Sequence, residues 1–297
     1  MALRFPWQPC PTRCRHRIKL AAMCLIAWNW QPGTEQPLLL AANRDEWLDR
    51  PTLPMRWWRP HPTKPTEILS GRDLRSGGIW LGVTRSGRFA AITNVRDPAL
   101  ERPLAPSRGL LALRFLLAQH PKDGTPMPDC APSQYAEAAQ FVAHEYAGFN
   151  LLLGDMARSE LIWLSNHPAR LCRVEPGVHG LSNAALDTPW PKVRALQAAL
   201  AQQARRPAAG QFAALEAALT DSNAAPDAQL PSTGVTPAWE RALSAAFIRV
   251  PGDPGYGTRC STLLRTDGNS RIHVREIQHQ PAPAEPADFI WNRHEED

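Results

Sequence analysis

The fold turns on one stretch, MCLIAWNWQPGTEQPLLLAANRDEW, residues 23–47. Residues 24–30 are a short apolar run suited to a buried strand, and residues 37–42 are a second. Between them Gln31-Pro-Gly-Thr-Glu35 is turn material. The pattern predicts a β-hairpin. With the turn centred near Gly33–Thr34, antiparallel pairing sets residue i opposite about 67 minus i, and so Cys24 opposite Asn43. The polar run Asn43-Arg44-Asp45-Glu46 then stands at a strand mouth beside a cysteine. Polar side chains just past a buried strand make either a turn or a site.

A second hairpin is predicted from 78–84 and 88–94 around Arg85-Ser-Gly87, with Asn94 near Gly77–Gly78. Ser107 caps a predicted helix over 108–119, stopped by Pro121, and another helix spans roughly 133–146. A meander follows over 149–154, 160–165, 171–175 and 178–182, leaving through Leu181-Ser-Asn-Ala184. Ala-rich helices over about 190–205, 211–220 and 237–247 precede a closing hairpin of 256–266 and 271–278. Hairpins interrupted by helix pairs, without strand–helix alternation or a glycine-rich phosphate loop, predict an α+β domain of antiparallel sheets covered by helices. The expected division is a disordered or mis-assigned basic arm over 1–22, one domain over 23–280 and an irregular Pro- and Ala-rich tail over 281–297.

Composition narrows the function classes. The formal net charge of +5 comes from the arm, where Arg4, Arg13, Arg15, Arg17 and Lys19 stand without an acid. Residues 23–297 hold 28 basic and 28 acidic side chains, which argues against a nucleic-acid partner. No apolar run approaches the ~20 residues needed to cross a bilayer. Six scattered cysteines do not make a disulfide framework, and a reducing cytoplasm is the expected setting. Cys10 and Cys14, with His16 beyond, lack the second pair that a zinc site needs. Met23 is read as the start of the functional chain, with the arm an upstream extension of the reading frame.

A start at Met23 gives Cys24 a particular chemistry. Once Met23 is removed, Cys24 carries a thiol, ordinarily titrating near ~8.5, and an α-amine, near ~7.7–8.0. The amine can serve as base for the thiol of its own residue. Asn94 and Asn183, each at a strand end, are the expected oxyanion donors. Arg44 and Arg259 are candidates for lowering the thiol pKa or holding an anionic substrate. Asp45 or Glu46 would orient the α-ammonium or an arginine. The expected catalytic set is Cys24, Asn94, Asn183 and Arg259, and the expected substrate-binding set Asn43, Arg44, Asp45, Glu46 and Arg96. The plain alternatives are a small core cysteine, asparagines that cap turns and arginines in structural ion pairs. Cys172 and Cys260 are read as core residues.

Several segments then match a known family in order. Met23-Cys-Leu-Ile, ANRDEW at 42–47, GRDLRSGGIWLGVT at 71–84, TNVRDP at 93–98, SRG at 107–109, GFNLLLGD at 148–155, GLSNAALDTPWPKV at 180–193 and YGTRCST at 256–262 resemble the NRDE, or Transport and Golgi organization protein 2, family. The resemblance covers residue 23 to about 264. It implies an N-terminal-nucleophile (Ntn) hydrolase-like fold, an αββα sandwich, with an N-terminal cysteine. It attaches no firm reaction. It points to amide hydrolysis of a small acyl-amide, or to haem or acyl-lipid handling, with no resident cofactor and haem only as a ligand. A more distant likeness is to the penicillin acylase and bile-salt hydrolase group. There an Arg–Asn–x–Asp pattern fills the slot that here reads Asn43-Arg44-Asp45-Glu46, so Asn43, Arg44 and Glu46 depart from it.

Overall fold

A computed structural model describes residues 23–61, 65–128 and 130–293. The arm, and with it Cys10, Cys14 and His16, lies outside the described residues. In chain order the strands are β1 (Met23–Trp30), β2 (Leu38–Trp47), β3 (Thr52–Trp58), β4 (Ile68–Asp73), β5 (Leu81–Thr84), β6 (Arg88–Asn94), β7 (Phe149–Asp155), β8 (Glu160–Asn166), β9 (Ala169–Arg173), β10 (Gly177–Leu181), β11 (Arg249–Val250), β12 (Tyr256–Thr266), β13 (Arg271–Gln278) and β14 (Ala287–Asn292). The helices are α1 (Gly109–Leu116), α2 (Pro132–Val142), α3 (Pro191–Gln203), α4 (Gln211–Leu219) and α5 (Pro237–Ala242).

The β1–β2 hairpin forms as its alternation requires, but its register differs by one residue. The connection is closed by Gln31 N–H donating to Pro37 O at 2.8 Å, so Trp30 pairs with Leu38 and Cys24 with Arg44, not Asn43. In a strand a one-residue slip reverses which face every side chain takes, so this shift decides which polar residues share the cysteine's side.

One sheet runs β10-β1-β2-β12-β13-β14, with β11 on β12, and the other β3-β4-β5-β6-β7-β8-β9. All pairings are antiparallel. Side-chain alternation makes three apolar layers. Ile26, Trp28, Leu38 and Leu40 meet Leu81, Phe89 and Leu152 between the sheets. Leu25, Ala27, Leu39 and Ala41 face Val193, Leu196, Phe212 and Leu215 of α3 and α4. Ile68, Ala90 and Leu151 face Leu111, Phe115 and Tyr135 of α1 and α2. The order helix, sheet, sheet, helix is an αββα sandwich, as expected.

Two segments correct the sequence reading. Gly71-Arg-Asp73 is the end of β4, and neither β4 nor β3 before it was foreseen. β3 is an edge strand with a bulge and mostly half-exposed side chains, so it carries no clean alternation. The tail expected to be irregular contributes β14, paired Ile272↔Trp291 and Val274↔Phe289. Phe289 and Trp291 point into the inter-sheet core, a two-residue period hidden behind the prolines of 281–286.

Candidate active site

The polar run at the end of β2 is split by the pleat. Leu38, Leu40 and Ala42 face the other sheet, and Arg44 and Glu46 continue that row. Leu39 and Ala41 face the helices, and Asn43 and Asp45 continue that one. On β1, Ile26 and Trp28 face the other sheet, so Cys24 shares the side of Arg44 and Glu46.

On the inter-sheet side lies a cleft of about 360 Å³ that Cys24, Arg44, Glu46 and Asn94 all line. Its wall includes Arg50, Asp73, Arg75, Trp80, Glu101, Arg102 and Arg108, which places five guanidiniums against three carboxylates. Arg44 lies under the Trp80 ring, 4.4 Å from its centroid, with Nη2 3.6 Å from Glu46 Oε2 and Nη1 buried without a hydrogen-bond partner. Glu46 also takes Arg50, at 3.4 Å, and Arg50 grips Asp73 at 2.6 Å. Gly71 makes room for Trp80: a Cβ there would lie 1.9 Å from the indole. Arg108 donates to Gly148 O at 2.9 Å.

Cys24 is partly exposed at the end of β1, and its carbonyl accepts from Ser182 Oγ at 2.8 Å. Burial, followed by the Asp45 carboxylate, pushes its thiol up to about 12; Arg44 pulls the other way without prevailing. Of the two arginines expected to lower the thiol, Arg44 acts in that direction. Cys260 is also raised, by burial and by Glu276, but it is buried outside the cleft. Cys172 is partly buried against the inter-sheet core.

Asn94 borders the cleft. Asn183 does not: it is buried, with Nδ2 donating to Asn94 O at 2.8 Å and Oδ1 accepting from Ser182 Oγ at 3.1 Å. It therefore ties Asn94 and, through Ser182, Cys24 into one unit. Arg259 is the extra residue of a β-bulge between Thr258 and Cys260, and the bulge aims it elsewhere. Its Nη1 donates to the carbonyls of Trp47, Leu48 and Arg50 at 3.2, 3.1 and 2.8 Å, outside the cleft lining. Arg96 also lies off the cleft, paired with Glu240 at 2.9 Å and over Trp190 at 4.3 Å. Asn43 donates to Leu219 O and Ala246 O, both at 2.8 Å, and accepts from Ser261 Oγ at 2.6 Å. Asp45 is buried, accepts from Thr258 Oγ1 at 2.7 Å, and is pushed up to about 6 by burial.

Sequence reasoning passed over Arg50, Asp73, Trp80, Arg108 and Lys192. The first four stand in or beside the quoted motifs, where no periodicity marks them as site residues. Lys192 is the second residue of α3, where a cation opposes the helix dipole; that local conflict was its signal. Among the described residues no group of three or more His, Cys, Asp or Glu side chains could hold a metal ion. No helix among them is long and apolar enough to cross a membrane.

The family model described as Transport and Golgi organisation 2 matches residues 23–281. The Transport and Golgi organization protein 2 homolog of Bos taurus is 31% identical over 292 residues, covering 92% of this chain and 98% of that protein. The Homo sapiens homolog is 31% identical over 273 residues, covering 86% and 92%. Among solved structures, a mutant conjugated bile acid hydrolase from Clostridium perfringens is similar at a TM-score of 0.43 and 8% identity, covering 90% of this chain and 97% of that one. The chain belongs to the Transport and Golgi organisation 2 family.

Proposed function

We propose that Cys24 leads the functional chain and is the nucleophile of a hydrolase for a small acyl-amide or related metabolite. The observation that carries this reading is the position of Cys24: a strand-end thiol on the wall of a cationic cleft that Asn94 also lines. The family match that begins at Met23 supports a chain led by the next residue. Four unpaired cysteines among the described residues suit a reducing compartment such as the cytoplasm.

The chemistry follows from the groups at hand. The α-amine of Cys24 takes the proton from Sγ, and Sγ attacks the amide carbonyl carbon. Asn94 donates to the oxyanion, held in place by Asn183 through the Asn94 carbonyl. The α-ammonium returns the proton to the leaving nitrogen as the C–N bond breaks. Water then attacks the thioester, releasing a carboxylic acid and restoring the thiol. The surplus of guanidiniums favours a substrate with an anionic group.

The test is Cys24→Ala against a panel of acyl amides, half of them bearing a carboxylate or phosphate. Wild-type turnover that the substitution abolishes supports the reading; turnover that survives it removes Cys24 from the chemistry.

The same cationic wall favours a second reading, a carrier for haem or an acyl lipid that holds the propionate, carboxylate or phosphate without turnover. Titration of wild type and Arg44→Ala with haem and with an acyl-CoA separates the two. Saturable binding lost in Arg44→Ala, with no amide turned over, selects the carrier.

A further inference from the structure

On the side of β1 and β2 turned away from the cleft, two charged groups are unused by the hydrolytic scheme. Asp45 Oδ2 and Lys192 Nζ are both buried without a hydrogen-bond partner. Unpartnered buried charges are strongly unfavourable, and at the second position of α3 the helix dipole opposes the Lys192 cation as well. Asp45 Oδ1 is engaged by Thr258, which leaves Oδ2 for another donor. The register pairs Asp45 with Met23, level with the chain just before Cys24, where the α-nitrogen of a leading Cys24 would lie.

The charged surroundings of the pair are few. Asp45 feels Lys192 from α3 and Arg44 and Glu46 from its own strand. Lys192 feels Asp45, Arg96 and Cys24, and Arg96 is already paired with Glu240. We infer that Lys192 is a positioning residue: its ammonium keeps the Asp45 carboxylate ionised, and that carboxylate holds the α-ammonium of a leading Cys24. The inference rests on the reading of Cys24 as first residue. Lys192 keeps its proton throughout; the one that moves passes from Sγ to the α-nitrogen and on to the leaving nitrogen.

Burial drives the two groups toward neutrality, Asp45 up to about 6 and Lys192 down to about 8. Each therefore limits the other's loss of charge near neutral pH.

Carboxyl NMR of aspartate-labelled protein tests this without a substrate, with the Asp45 signal identified by its loss in Asp45→Asn. Protein led by Cys24 and protein retaining Met23 are compared, each as wild type, Lys192→Met and Lys192→Arg. The Asp45 midpoint is expected to rise by about one pH unit or more in Lys192→Met and to return in Lys192→Arg. In wild type it is expected to sit about one unit or more lower when Cys24 leads the chain. If Lys192→Met does not fold, Lys192→Gln replaces it. An Asp45 midpoint unmoved by loss of the ammonium, or equal with and without Met23, overturns the inference. Failure of the hydrolytic reading is seen separately, in the intact mass of the native protein and in turnover by Cys24→Ala.

Discussion

The two faces of β2 at residues 43–46 differ more than the sequence suggests. Arg44 and Glu46 face the cleft and share an open network with Arg50, Asp73 and Trp80. Asn43 and Asp45 face the helices, where Asn43 is saturated by the end of α4, Ala246 and Ser261, and Asp45 by Thr258 on one oxygen only. Adjacent residues thus stand in different surroundings: alternate ones line the cleft with Cys24, and their neighbours face the helix layer. A motif read along the chain as one cluster is, across the sheet, two.

The comparison can be broken most forcefully at Asn43. Asn43→Ala leaves two buried carbonyls without their donor and takes one of two partners from the Ser261 hydroxyl, which also meets His279 Nε2 at 2.8 Å. At about 1–3 kcal/mol for each unsatisfied buried group, a loss near 3 kcal/mol in urea unfolding is expected. Reactivity of Cys24 per folded molecule should stay at the wild-type level. A stable variant with a dead cleft would reverse the assignment of faces.

Asp45 comes next. In the chain that retains Met23 its folded pKa is raised to about 6, above the unfolded value, so its contribution is present at low pH and lost as pH rises through about 6. Asp45→Asn has no such loss. Between pH 4 and pH 7 the variant should gain on wild type by about 3 kcal/mol, from roughly two pKa units. In protein led by Cys24 that gain should shrink or change sign, because the α-ammonium then supports the carboxylate. An unfolding difference flat with pH would mean that the carboxylate is not dry.

Arg44 sharpens the cleft side. Arg44 pulls the Cys24 thiol down against the effect of burial, so Arg44→Met should raise it further. Alkylation of Cys24 by iodoacetamide near pH 8 is expected to slow about tenfold, one pKa unit. Faster alkylation would place the arginine away from the sulfur. The smallest effect is expected at a control site on β10, away from residues 43–46. His179, whose pKa is raised by its 2.8 Å bond to Asp187, contributes stability that is present in acid and lost as pH rises through its folded pKa. Asp187→Asn should therefore cost more at pH 5.5 than at pH 8, by about 1 kcal/mol or less, read as the difference in urea midpoints.

Much of the frame was legible. Apolar alternation and the Pro–Gly turn of 31–37 mark the first hairpin, and the Ala-rich runs mark α3 and α4, because both periods are local properties of the chain. β3 and β14 were not legible, since edge strands with half-exposed faces and flanking prolines carry little of that signal. Cys24, Arg44, Glu46 and Asn94 were named from the sequence and share the cleft. Arg259 and Asn183 were named for direct contact and stand outside its lining, one turned by a bulge and the other engaged with a carbonyl. Nothing in a run of residues announces a bulge opposite another strand.

Local residue pattern is enough to set the layers, the strand that carries Cys24 and the polar residues at the strand mouth. Those follow from periodicity and from turn chemistry, which act over a few residues. The faces depend on pairing across the folded chain. A single step of register, fixed by how the 31–37 connection closes, puts Arg44 on the cysteine's side and Asp45 on the side of the helices, and the groups that pack there come from segments more than a hundred residues apart. Long-range pairing sets which side chains lose water together, and that loss gives the site its charge.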